Sequence, residues 1–149
     1  MGAALASGAN SRDPVAGAPG SIERGRYIVR IGGCNDCHTP GFAQSGGTTP
    51  EKQWLTGDVV GFQGPWGTTY ATNLRLSLAR MTKEQWITYA RQSPMKPPMP
   101  WPSLRDMTAD DLAAIYRFVR YLGPEGKPAP AHVPPGQKAA GPVIRMVPE

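Results

Sequence analysis

Three stretches of the chain space their apolar residues at the 3.6-residue interval of an amphipathic helix, and each is bracketed by start and stop signals. The first opens at Ser21 as N-cap, with Glu23 in its first turn and Ile22, Tyr27, Ile28 and Ile31 on one face; Gly32 and Gly33 end it. The second opens at Thr82, where Gln85 completes a capping box and Met81 can staple to Trp86, and runs from Lys83 to about Gln92 before Pro94. The third opens at Thr108, with Asp110 and Asp111 in the first turn and Met107 placed to staple to Leu112. Leu112, Ile115, Tyr116, Val119 and Leu122 carry its apolar face until Gly123-Pro124 stops it. Gly25 interrupts the first helix at a cost of ~1 kcal/mol relative to alanine, which points to another element crossing close by.

The remaining stretches have no such period. Residues 1–20, rich in Gly, Ala, Ser and Pro, are expected to form a flexible leader, and residues 124–149 a proline-rich extended tail, leaving 21–123 as the compact domain. From Thr39 to about Asn73 the expectation is a long loop carrying Trp54, Phe62, Trp66 and Tyr70 among glycines. Loops of that length usually wrap around something, and a flat apolar group would give these aromatics a surface to pack on. The run Ser93 to Pro102 is so dense in proline that an extended, polyproline-like path is expected.

Composition narrows the function classes. The chain has 149 residues, enough for one domain, and its 17 prolines and 18 glycines crowd the ends and loops. The net charge of +5 comes from 16 Lys and Arg against 11 Asp and Glu, spread along the chain without the dense basic run of a nucleic-acid arm. A diffuse positive surface suits transient docking to an acidic partner. No segment reaches the ~18 apolar residues of a membrane-spanning helix, and residues 1–20 lack the charged and apolar regions of a signal peptide.

The chemistry is concentrated at Cys34-Asn35-Asp36-Cys37-His38. Both cysteines of the chain and one of its two histidines lie there, in the C-x-x-C-H spacing that attaches haem c through two thioethers and supplies an axial histidine to the iron. Two intervening residues let one turn of chain present both sulfurs to one porphyrin. A thioredoxin-like redox pair needs no following histidine, a zinc site needs a second ligand pair that the chain lacks, and a small disulfide is the remaining alternative. Covalent haem attachment of this kind takes place outside the cytoplasm, so the expected location is periplasmic, with a signal or anchor removed or the domain excised from a longer chain.

The second axial position is approached by elimination. His132 sits in the tail, Met81 and Met107 occupy staple positions, and Met1 and Met146 are near the ends. Met95 and Met99 remain. Met99, enclosed by Pro98 and Pro100, has the better-restrained backbone for a flexible thioether, with Met95 or no methionine as the alternatives.

The sequence resembles the class I cytochrome c family. The likeness runs from Gly25-Arg26-Tyr27 through Cys34 to Pro40, resumes at Met99-Pro100-Trp101, and continues from Met107 through Tyr116 to the end of that helix. It is similar in particular to small monohaem cytochromes and to haem domains of bacterial periplasmic dehydrogenases. The resemblance implies an all-α cytochrome c fold, with few helices and long loops around one covalent haem, and a crossing of the first and last helices at Gly25 and Phe118. It also implies thioethers to Cys34 and Cys37, His38 and Met99 as iron ligands, and a site near the haem propionates for Asn73, within Tyr70 to Leu74.

With both axial positions closed, such a protein is an electron carrier rather than an enzyme. It would be a monomer taking electrons from a dehydrogenase or quinol-oxidising complex and passing them to an oxidase or reductase. The alternatives are a haem subunit or domain of a larger dehydrogenase, suggested by the long ends, and an open-iron, ligand-binding or peroxidase-like protein. The last lacks a distal acid–base histidine.

Overall fold

A computed structural model describes residues 17–147. The expected leader falls outside the described residues except for 17–20, where Arg117 donates a hydrogen bond to the Gly20 carbonyl.

Helix α1 (Ile22–Ile31) is capped by the Ser21 side chain, which accepts from Arg24 N–H, and ends at Gly32. Helix α6 (Ala109–Leu122) is capped by Thr108 and stopped by Gly123 at φ 75°. The two cross at Gly25. A methyl group there would overlap the Ala114 carbonyl and lie 2.7 Å from Phe118 Cβ, so only glycine lets the helices approach this closely. Phe118 is fully buried, a burial that contributes about 1.5–3 kcal/mol. Two arginines of α1 brace the crossing: Arg24 pairs with Asp111 at 2.9 Å, and Arg26 lies over the Phe118 ring while pairing with Glu51 at 2.7 Å.

Helix α4 (Lys83–Gln92) has the full capping box between Thr82 and Gln85. It docks on α6 through buried Trp86, whose Nε1–H donates to Leu112 O at 2.9 Å. Met81 and Met107 pack against the same core, as their staple positions require.

The loops hold more structure than their glycines and prolines suggest. The haem-motif residues form a single helical turn, α2 (Cys34–His38), entered through Gly33 in the left-handed region. Helix α3 (Leu74–Ala79) begins directly after the long loop, with Asn73 as its N-cap. The all-α expectation is corrected by a three-stranded sheet in the order β2-β1-β3. Strands β1 (Gly61–Gly64) and β2 (Gly67–Tyr70) form a hairpin, and β3 (Val143–Arg145) lies parallel to β1 with Val143 opposite Gly61. The hairpin strands are only four residues each and glycine-rich, and β3 pairs with a strand about eighty residues earlier, so neither leaves a readable local period.

The expected extended path from Ser93 to Pro102 is also corrected. Met99 N–H donates to Lys96 O at 3.3 Å, closing a turn around a cis Pro97–Pro98 peptide, and α5 (Trp101–Arg105) starts immediately after Pro100. Proline is tolerated in a first helical turn, where its missing N–H has no intrahelical acceptor, so Pro102 does not prevent that helix.

After Gly123 the chain doubles back over the domain. Glu125 and Lys127 accept from Asn73 Nδ2, Val133 pairs with Thr68, His132 Nε2–H donates to Trp66 O at 2.8 Å, and β3 joins the sheet. Arg75, almost wholly buried, holds this return by donating to the carbonyls of Leu122, Gly123 and Lys52, each at 2.6 Å.

Candidate haem-attachment site

Cys34 and Cys37 lie three residues apart on α2, both half-buried and both free thiols rather than a disulfide. Burial pushes the Cys34 thiol up to about 11 and raises Cys37 as well, with the Asp36 carboxylate acting in the same direction. Thiols so shifted are neutral at ordinary pH, which is unfavourable for a thiolate exchange pair and compatible with thioether formation. Among the described residues no group of three or more His, Cys, Asp or Glu could complete a metal cage, so the zinc reading finds no support there.

His38 is buried, and its Nδ1–H donates to the Thr72 carbonyl at 2.7 Å. A carbonyl can only accept, so the proton sits on Nδ1 and the Nε2 lone pair is left for a metal. Burial lowers the imidazole pKa, partly opposed by the Thr72 carbonyl, and the ring is neutral, as a ligand must be. Two free thiols on one turn followed by a buried, oriented, neutral imidazole are the donor set that a covalent haem requires. The residues present fit the group.

The turn is fixed from behind by a buried polar relay. Thr39 Oγ1–H donates to Asn35 Oδ1 at 2.7 Å, while Leu55 N–H donates to Thr39 Oγ1 at 2.8 Å. Leu55 is fully buried at φ 63°, a left-handed conformation unusual for leucine, and its carbonyl accepts from Leu74 N–H at the start of α3. Gly57 N–H closes the loop onto His38 O at 2.8 Å. The Asn35 Nδ2 group has no protein partner.

Met99 and Met95 are both half-buried against the main core, in the segment joining α4 to α5. That segment is tied to the sheet where Thr69 Oγ1–H donates to Pro97 O at 2.6 Å. Thr69 and Thr72 are three residues apart, so their Cα atoms are at most ~11 Å from each other. One short run of chain therefore contacts both the His38 ring and the turn bearing Met99. The Thr72 carbonyl carries no side-chain signature, and sequence reasoning missed it.

The loop aromatics divide. Trp54 is core, edge-on to Phe42 and Phe118 with its Nε1–H bonded to Thr49 O, whereas Phe62, Trp66 and Tyr70 remain half-buried on the hairpin. Asn73, expected near propionates, spends its side chain otherwise: Oδ1 accepts from Leu76 N–H and Nδ2 donates to Glu125 O and Lys127 O. A cavity of about 560 Å³ opens beside Pro40, Thr56 and Arg75, on residues other than Cys34, Cys37, His38 and Met99.

The chain is 29% identical over 107 residues to the cytochrome c subunit of alcohol dehydrogenase (quinone) from Gluconacetobacter polyoxogenes, covering 65% of this chain and 21% of that one. The corresponding subunit from Komagataeibacter europaeus gives the same figures. The fructose dehydrogenase cytochrome subunit of Gluconobacter japonicus is 28% identical over 127 residues, 78% of this chain and 24% of that subunit. The chain thus spans between a fifth and a quarter of the length of these relatives. No protein-family model and no solved structure matches it. These relatives are cytochrome c subunits of dehydrogenases, and the likeness supports a c-type cytochrome.

Proposed function

We propose that this chain is a class I, monohaem c-type cytochrome domain, residues 21–123, that carries single electrons for a bacterial periplasmic dehydrogenase. Cys34 and Cys37 hold the haem through thioethers, and His38 and Met99 are its axial ligands. A haem so held supplies one iron that alternates between ferrous and ferric states. The protein's part is positional: the Thr72 carbonyl sets the imidazole tautomer and ring plane, the Asn35–Thr39–Leu55 relay fixes the turn bearing both sulfurs, and the Lys96–Met99 turn presents the thioether. The observation that supports this reading is the His38 Nδ1–H bond to Thr72 O, which leaves the Nε2 lone pair available to ligate on the same turn as two free thiols.

The absorption spectrum of the oxidised protein tests it. A far-red methionine-to-iron band that vanishes in Met99→Ala and persists in Met95→Ala is the expected result. A high-spin wild-type spectrum with ready carbon monoxide binding would overturn the closed-iron reading.

The relatives favour service within a dehydrogenase assembly. The net charge of +5, with no membrane-crossing helix among the described residues, suits instead a monomeric shuttle between dehydrogenase and oxidase or reductase. Gel filtration with a dehydrogenase separates the two, since only the subunit reading yields a stable stoichiometric complex.

A further inference from the structure

The turn that bears Met99 is short and mostly exposed: Lys96, Pro97 and Pro100 face solvent. Its internal ties are local, from Met99 N–H to Lys96 O at 3.3 Å and from Trp101 N–H to Met99 O at 2.8 Å. These hold the turn's shape but not its place relative to His38. Besides the packing of Met95 and Met99 on the core, a polar link is made by Thr69, whose hydroxyl donates to Pro97 O at 2.6 Å, with a longer alternative at 3.4 Å to Phe62 O on the neighbouring strand. Thr69 stands in β2, where register with Phe62 of β1 fixes its position. Three residues on, the same strand's continuation accepts the His38 Nδ1–H.

From this arrangement we infer that Thr69 is a positioning residue for the distal ligand: its hydroxyl fastens the Met99 turn to the chain segment that, three residues on, also orients His38, setting how firmly the thioether competes for the iron. The inference rests on the proposed Met99 ligation. A hydrogen bond of ordinary net strength changes an equilibrium by roughly five-fold, so its loss weakens ligation measurably without opening the iron outright.

The test uses oxidised holoprotein carrying Thr69→Val, Thr69→Ser or Met99→Ala, titrated with imidazole while the far-red band is followed. Valine keeps the β-branched shape and removes the donor, and serine restores it. In Thr69→Val, imidazole is expected to displace methionine with about five-fold higher affinity, and the band to fade at a lower temperature. Thr69→Ser should return both to wild-type values. If the band depends on Met99 but Thr69→Val titrates like wild type, the positioning role is overturned while Met99 ligation stands. A wild-type protein without the band, or a Met99→Ala protein that keeps it, overturns the ligation and this inference together.

Discussion

The segments carrying His38 and Met99 are built in opposite ways. Around His38 the hydrogen-bonding groups are buried: Asn35 and Thr39 are almost inaccessible, the ring is hydrogen-bonded to Thr72, and the loop is pinned at Gly57 and Leu55. Around Met99 the backbone is largely exposed, its shape comes from prolines and a turn, and Thr69 ties it to the sheet. The contrast follows from what each side chain must do. Under the proposed haem attachment, an imidazole next to two thioethers has its orientation dictated by the chain, and buried hydrogen bonds are found there. A methionine is soft and flexible, and restricting its backbone suffices to present it.

Several substitutions break or sharpen this contrast. The largest effect is expected on the histidine side, where Cys34→Ser combined with Cys37→Ser abolishes covalent haem. A haem stain on a denaturing gel reads this, and a band that survives would refute attachment at the motif. Next is Gly25→Val, which forces α1 away from Ala114 and Phe118 and should cost about 3 kcal/mol. Urea unfolding with a loss near zero would mean the helices do not cross so closely.

Thr39→Val and Thr69→Val remove one hydroxyl on each side of the contrast. Thr39→Val leaves Leu55 N–H buried without its acceptor and should cost about 2 kcal/mol, whereas half-exposed Thr69→Val should cost under about 1 kcal/mol. Equal losses in denaturant melts would erase the distinction.

The smallest effect concerns the brace of the helix crossing. The Arg24 guanidinium holds the Asp111 carboxyl below its ordinary value by hydrogen bonding and by charge. A carboxyl lowered in the folded state stabilises fully above its unfolded value of about 3.9, and that contribution is lost as pH falls through the lower folded value. Asp111→Asn should therefore flatten the acid limb of the stability profile below about pH 4; an unchanged limb would show that the pair contributes nothing.

The cytochrome-like features legible in the sequence are local ones. Ser21, Thr82 and Thr108 cap helices because a side-chain oxygen three residues before a free backbone N–H needs no distant partner. The Cys34–His38 spacing is likewise a property of one turn, and Gly25 announced its crossing by being costly anywhere else. Asn73 shows the limit of such reading. A family-based expectation placed it near a cofactor, but its donors are consumed by carbonyls of the returning tail.

Tertiary structure alone decided three matters: that the Thr72 carbonyl orients His38, that Thr69 reaches the Met99 turn, and that the proline-rich tail contributes β3 to a sheet. The first two depend on backbone carbonyls, which every residue possesses and no sequence pattern marks. The third depends on pairing between strands far apart in the chain, whose register arises only when the intervening helices have packed. The sequence by itself determined the Cys34–His38 turn and the helices that surround it; folding determined how His38 and Met99, the proposed axial residues, are held.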